Sequence, residues 1–289
     1  MSRTRQILNE YGYRSKRSRG QNFLVHEGTL QKIADAAALS LSDTVVEIGP
    51  GPGNLTRRLA RAAGRVIAVE IEHELCLILK SEVASDNVTV IEGNALDLDF
   101  RGLAPAGGRL KVVANLPYNI TTPVLFKLLA TPELFSELML LLQLEVAKRI
   151  TAAPGTRAWG ILGAQCQLQA DCAVVFRVGP EAFRPRPKVE SALVRLRMLP
   201  APRARVARPE LYRRVVRAAF AGRRKTLRNS FTVGEFAFGA ELIAAALGEA
   251  GIDPGRRAET VTVQEFAAIA NAIVNREEKE NHQDTKGKK

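Results

Sequence analysis

Between Leu41 and Arg197 short apolar runs alternate with stretches of helical spacing, an order that few folds accept. Thr44–Ile48, Arg65–Glu70, Val88–Glu92, Leu110–Ala114, Leu138–Leu142, Ala173–Val178 and Ala192–Arg197 read as strands. Leu55–Ala63, Glu72–Glu82, Pro123–Leu129 and Glu145–Thr151 have the composition and spacing of helices. Strand–helix alternation calls for right-handed crossovers, so the pattern predicts an α/β architecture: a largely parallel seven-stranded sheet covered on both faces. Pro200-Ala201-Pro202 and the basic stretch to Pro209 read as a linker. Beyond it, Leu211–Phe220, Glu241–Ala250 and Val263–Val274 carry apolar residues at helical spacing with no strand signal. The expected organisation is an α/β domain over 1–200 with a basic N-terminal segment, a small α-helical C-terminal domain over 201–275, and a disordered tail over 276–289, where no core-forming residue remains.

Charge narrows the partners. The net charge is +12, and it is concentrated in two places. Residues 1–20 hold six basic groups against Glu10, and residues 184–228 hold fifteen against Glu190 and Glu210. Two cationic segments on an otherwise acidic body suit a polyanion, although the same residues would also serve as a solvated face. With 46% hydrophobic and 25% charged residues, the chain is neither disordered throughout nor embedded in a membrane. The basic N-terminus lacks the apolar stretch of a signal peptide. Three scattered cysteines (Cys76, Cys166, Cys172) and three distant histidines (His26, His73, His282) suggest neither a disulfide framework nor a metal site. A reducing cytoplasm is the expected location.

The segment Val46-Glu47-Ile48-Gly49-Pro50-Gly51-Pro52-Gly53-Asn54-Leu55-Thr56 takes the first strand into a glycine-rich turn and then a helix. Missing side chains at Gly49, Gly51 and Gly53 would let a ligand approach the backbone. It is not a dinucleotide fingerprint, because the sixth position from Gly49 is Asn54, and it lacks the Gly-Lys-Ser/Thr of a P-loop. The second strand ends in Glu70, where a carboxylate can accept both hydroxyls of a ribose. The third ends in Glu92-Gly93-Asn94-Ala95, which places a polar side chain for a nucleobase. Each feature alone also fits an ordinary turn or an exposed carboxylate. Together, at successive strand ends, they favour a nucleoside-containing cofactor.

The fourth strand runs directly into Asn115-Leu116-Pro117-Tyr118. The amine of adenine is a poor nucleophile because its lone pair is delocalised into the ring. The Asn115 side-chain oxygen and the Leu116 carbonyl could each accept one of its N–H groups, favouring a pyramidal nitrogen. Pro117 restricts Leu116 to an extended conformation, and Tyr118 offers a face for an extracted base. A sulfonium methyl group carries its own activation, so such chemistry needs alignment more than a covalent intermediate. The missing Ser/His/Asp and Cys/His constellations are consistent with that.

In these residues the chain resembles the ribosomal RNA adenine N6-dimethyltransferase family, and most of all its small-subunit branch. The resemblance runs from about Gly12 to Ala272. Its landmarks are Gly20-Gln21-Asn22-Phe23-Leu24, Glu47-Ile48-Gly49-Pro50-Gly51, Asn115-Leu116-Pro117-Tyr118-Asn119-Ile120, Phe183-Arg184-Pro185-Arg186-Pro187-Lys188-Val189 and Arg224-Lys225-Thr226-Leu227-Arg228-Asn229-Ser230. The resemblance implies a Rossmann-like class I methyltransferase fold using S-adenosyl-L-methionine. Asn22 and Leu24 would close over that cofactor, Gly49 would approach its methionine part and Glu70 would hold its ribose. The position of Asn94, where the family usually has Asp, would contact its adenine. Asn115 would border cofactor and target amine, and Phe183 would cover the target adenine opposite Tyr118. Leu116 and Pro117 complete the implied catalytic set, while Lys188, Arg223, Arg224, Lys225 and Arg228 would bind RNA.

The implied substrate is a pair of adjacent adenosines in the 3′-terminal loop of 16S rRNA, in the precursor of the small ribosomal subunit. Each would become N6,N6-dimethyladenosine during ribosome biogenesis. The implied protein is a monomer without a metal or a membrane partner. Three alternatives stay open at this point. One is the large-subunit branch that confers macrolide resistance, against which the Arg224–Ser230 motif and the ending near Arg257-Ala258-Glu259 speak. A second is a DNA adenine methyltransferase, which commonly carries Asp at the Asn115 position. The third is an RNA-binding ribosome-assembly factor with dispensable catalysis.

Overall fold

A computed structural model describes residues 3–14, 20–222 and 224–286, with side chains described as far as Lys279. The elements in chain order are α1 (Arg3–Glu10), β1 (Phe23–Leu24), α2 (Glu27–Ala36), β2 (Thr44–Ile48), α3 (Thr56–Ala62), β3 (Arg65–Glu70), α4 (His73–Glu82), β4 (Val88–Glu92), β5 (Leu110–Asn115) and α5 (Thr121–Leu128). They continue with β6 (Phe135–Gln143), α6 (Leu144–Ile150), α7 (Ile161–Gln169), β7 (Ala170–Val178), β8 (Phe183–Arg184), β9 (Ser191–Met198), α8 (Pro209–Ala219), α9 (Leu227–Phe231), α10 (Ala240–Glu249) and α11 (Val263–Lys286). Two compact units result, one of Met1–Ala147 with Asp171–Met198, the other of Lys148–Ala170 with Leu199–Lys289.

In the first unit seven strands form one sheet in the order β4-β3-β2-β5-β6-β9-β7. The strands from β4 to β6 run parallel, and β9 lies antiparallel to β6. Every residue of β2 is buried, Thr44 and Glu47 along with its three apolar residues, as expected of a central strand covered on both faces. The chain leaves β2 for β3 on one side and reaches β5 on the other, so strand order reverses between β2 and β5. A crevice at the carboxyl ends of such strands is where open α/β sheets bind ligands. Leu30, Ile33, Val45, Leu59, Val113, Met139 and Leu141 build the core on one side of the sheet.

The N-terminal segment belongs to this unit. Ile7, Tyr13 and Phe23 pack with Leu75 and Ile78 of α4. Thr4 is buried; its Oγ1 donates to the Leu24 carbonyl at 3.2 Å and accepts from Asn54 Nδ2 at 2.6 Å. A two-residue antiparallel ribbon pairs Phe23 with Arg184 and Leu24 with Phe183.

The second unit is helical. Trp159, Ala164 and Leu168 share one core with Tyr212, Val215, Phe231, Ile243, Phe266 and Ile269. Trp159 Nε1 donates to the Val261 carbonyl at 3.0 Å, and Tyr212 Oη donates to the Ala164 carbonyl at 2.9 Å. A boundary at residue 200 therefore misplaces 148–170, whose apolar side chains are buried among the C-terminal helices. The tail expected to be disordered from 276 instead continues α11 as backbone helix to Lys286. Arg276 pairs with Glu249, Glu277 pairs with Arg208, and Asn275 donates to Glu249, so polar residues find partners on neighbouring segments without joining the core. The start of α11 is fixed by a reciprocal cap. Glu265 N–H donates to Thr262 Oγ1 at 3.2 Å, while the Glu265 carboxylate accepts from Thr262 N–H at 2.7 Å and also takes the Arg256 guanidinium.

Candidate active site

A cavity of about 260 Å³ opens at the carboxyl ends of β2, β3, β4 and β5. Of the residues singled out in the sequence, it brings together Asn22, Gly49, Glu70, Asn94, Asn115, Leu116, Pro117 and Tyr118. Ile71, Leu75, Leu96 and Ile120 give it apolar walls.

The glycine turn forms one side. Gly49 has φ +68° and Gly51 φ +56°, conformations that side-chain-bearing residues rarely adopt. A Cβ on Gly51 would meet Phe23 at 2.9 Å, so its bareness accommodates the N-terminal segment. Gly53 does not line the cavity. A Cβ there would come within 2.5 Å of both Leu79 and Val83, so its smallness serves helix packing instead of ligand approach.

Glu70 ties this turn to the start of α4. One carboxylate oxygen accepts from Gly51 N–H at 3.2 Å; the other accepts from the N–H groups of Ile71 and Glu72 at 2.9 and 3.1 Å. Burial raises its pKa, with the three amides opposing that shift. The oxygen that takes Gly51 N–H keeps one lone pair, enough to accept one ribose hydroxyl, whereas the other oxygen has both of its lone pairs occupied. Asn94 accepts from Leu96 N–H at 3.0 Å through Oδ1 and donates to Asp97 at 2.9 Å through Nδ2.

Asn115 ends β5 and donates from Nδ2 to the Asn22 carbonyl at 3.1 Å. With its amide nitrogen engaged there, its oxygen is the acceptor left to the cavity. Pro117 and Thr121 close the following turn through the Pro117 carbonyl, which accepts from Thr121 Oγ1 at 3.1 Å and from Ile120 N–H at 3.2 Å. The Tyr118 hydroxyl pairs with Ser191 Oγ at 2.8 Å, which fixes its ring at the cavity wall. Burial raises the Tyr118 pKa, and the Ser191 bond partly offsets this.

Two expected residues lie outside the cavity. Leu24 is buried and lines a smaller cavity of about 30 Å³ together with Thr4, Glu47, Asn54 and Asn115. Phe183 is 0% exposed and packed in the sheet core, with no ring face open to a base. An aromatic residue in a two-residue strand facing Leu24 gains more by completing that core.

Lys188 is exposed in the first unit; Arg224, Lys225 and Arg228 are exposed in the second. Arg223 lies outside the described residues. Two neighbouring cations are engaged by aromatic rings: Arg214 stacks over Phe238 at 4.1 Å, and Arg217 over Phe236 at 5.1 Å.

Sequence reasoning missed three features beside the site. Tyr13 donates to Glu72 at 2.8 Å, and Gln21 donates to the same carboxylate at 3.0 Å, which anchors the N-terminal segment over the β3–α4 turn. Asp97 holds Asn94, as above. Glu47 is fully buried with Oε2 unpartnered among the described residues. Gln21 and Glu47 stood within recognised motifs, but a motif does not show which carboxylate a side chain will reach, and alternation in a buried strand does not reveal a carboxyl facing inward. Among the described residues no cluster of metal-ligating side chains occurs, and no helix is long and apolar enough to cross a membrane.

A mixed sheet with its strand order reversing at the cavity, a glycine turn, an acidic residue closing the second parallel strand, and Asn-Leu-Pro-Tyr after the fourth together define a class I methyltransferase. A model of the ribosomal RNA adenine dimethylase family matches residues 12–275, and the chain belongs to that family. It is 43% identical over 280 residues to a protein of Pelotomaculum thermopropionicum named ribosomal RNA small subunit methyltransferase A, covering 93% of this chain and 95% of that one. Among solved structures it is similar to a dimethyladenosine transferase from Plasmodium falciparum, at 26% identity and TM-score 0.70, covering 84% of this chain and 94% of the other. It is also similar to the 23S rRNA methyltransferase ErmE, at 28% identity and TM-score 0.65, covering 87% and 99%.

Proposed function

We propose that the protein uses S-adenosylmethionine to methylate N6 of two adjacent adenosines in the 3′-terminal hairpin loop of small-subunit rRNA, giving N6,N6-dimethyladenosine. The observation that supports the chemistry is the Asn115 side chain, which lines the cavity with its nitrogen held by the Asn22 carbonyl, leaving its oxygen as the amide's acceptor for the target amine.

The residues present fit the cofactor. Gly49 and Gly51 offer a backbone without side chains, Glu70 retains one acceptor site for a ribose hydroxyl, and Ile71 and Leu96 offer apolar faces to a nucleobase. When bound, S-adenosylmethionine supplies an electrophilic methyl carbon on a cationic sulfur. The chain does the rest by alignment. Asn115 Oδ1 and the Leu116 carbonyl accept the two N–H groups of the target amine and turn its lone pair away from the ring. Tyr118, fixed through Ser191, provides the stacking face. Neutral acceptors suffice, because the nitrogen can lose its proton after the methyl group has moved.

Exposed Lys188, Arg224, Lys225 and Arg228 would neutralise phosphates around the loop, whose unpaired bases are easily splayed out. The ErmE similarity keeps the large subunit as a second reading. Identity of 43% to a small-subunit enzyme over 93% of the chain favours the first. Incubating the protein and labelled cofactor with unmethylated small and large subunits separately tests it. Label in the small subunit alone is expected, and label in the large subunit alone would overturn the assignment.

A further inference from the structure

We propose that Asp97, which does not touch the cavity, is a positioning residue that sets the nucleobase selectivity of the donor site by fixing the Asn94 amide. This rests on the cavity being the S-adenosylmethionine site.

An asparagine amide is ambiguous by shape, since its oxygen and nitrogen exchange places by rotation about one bond. Here both ends are assigned by partners that cannot exchange roles. Leu96 N–H can only donate, so the atom 3.0 Å from it is Oδ1. The Asp97 carboxylate accepts, so the atom 2.9 Å from it is Nδ2. The chain itself is turned tightly here, with Asp97 N–H donating to the Asn94 carbonyl at 2.9 Å. Asn94 lines the cavity and Asp97 does not.

After these bonds, one lone pair on Oδ1 and one hydrogen on Nδ2 remain. That pair of groups matches the edge of adenine, which offers an amine donor beside a ring-nitrogen acceptor. Hypoxanthine presents a carbonyl oxygen where adenine has its amine, so it would set acceptor against acceptor. Accommodating it requires the Asn94 amide to rotate, and rotation breaks the bonds to both Leu96 and Asp97. Asp97 thus raises the cost of the wrong orientation. It also explains how a neutral amide can occupy a position where a carboxylate would be the stronger acceptor: a carboxylate there would lie within hydrogen-bonding distance of Asp97, and two like charges at that separation repel.

The test is calorimetric binding of S-adenosylhomocysteine and S-inosylhomocysteine to the intact protein. The native chain should prefer the adenine ligand by at least about tenfold. Asp97→Ala should reduce that preference to about twofold, while Asp97→Asn, which can still accept from Asn94 Nδ2, should retain most of it. Asn94→Asp should weaken S-adenosylhomocysteine, and Asp97→Asn added to it should restore binding. Unchanged preference in Asp97→Ala, or equal loss of both ligands, would overturn the role of Asp97 while leaving the donor site intact. Failure of the native chain to bind either ligand would overturn the donor-site reading, and this inference with it. Matched thermal unfolding of the variants separates these outcomes from misfolding.

Discussion

Asn115 Nδ2 lies 3.1 Å from the carbonyl oxygen of Asn22 and donates to it, joining the end of a central strand to a segment 93 residues earlier. The bond assigns the nitrogen end of the amide to the protein. Asn115→Ala should lower single-turnover methyl transfer by about 10²–10³, the range seen when one positioned hydrogen-bonding group is removed from a reacting centre. RNA affinity, read by filter binding, should change by less than about twofold, because the acceptor acts on the reacting amine. Equal losses in both would contradict its role.

Glu47 predicts a pH-dependent stability. Burial pushes its carboxyl up to about 8, with the nearby Thr56 hydroxyl opposing and Glu70 adding to the rise. Between the ordinary value of 4.5 and about 8 the folded chain keeps a proton that the unfolded chain has released. Stability is therefore lost as pH rises through that window, and the cost is complete above it. Glu47→Gln should match the native chain near the lower end and exceed it by a few kcal/mol, in order of magnitude, above the upper end. Urea unfolding of both proteins across this range checks it, and parallel curves would contradict it.

Phe183 is expected to behave as a core residue. Its complete burial predicts that Phe183→Ala costs about 3–5 kcal/mol in urea unfolding. A loss below about 1 kcal/mol would show a ring that is exposed in solution.

How much of this could be read from sequence depended on burial pattern. Thr44–Ile48, Arg65–Glu70 and Val88–Glu92 begin and end where the apolar runs do, because flanking turns interrupt each one. By contrast α7 escaped notice: Leu162 to Cys166 are all buried, so the helix shows no polar face and no 3.6-residue period. In α1 one of the two buried positions is Thr4, a polar residue that hydropathy counts as surface. The cavity residues were legible because they follow strand ends at regular intervals. The holders of those residues, Asp97 and the Asn22 carbonyl, were not, since a side chain's hydrogen-bond partner leaves no periodic trace and a backbone carbonyl is present at every position.

Exposed cations predict the salt response of RNA binding. Each of Lys188→Ala, Arg224→Ala, Lys225→Ala and Arg228→Ala should weaken binding to unrelated RNA sequences alike and reduce the slope of log affinity against log salt by about 1. Fluorescence titrations at several salt concentrations measure this. A slope unaffected by all four would remove these side chains from the interface.

The most direct measurement is the product itself. Small subunits lacking the modification would be treated with the protein and S-adenosylmethionine, and nuclease digests of their rRNA analysed by mass spectrometry. Two N6,N6-dimethyladenosines at adjacent positions are predicted, and none with the Asn115→Ala protein over the same time. Methyl groups on ring carbons, on ribose, or on any base other than adenine would contradict the account.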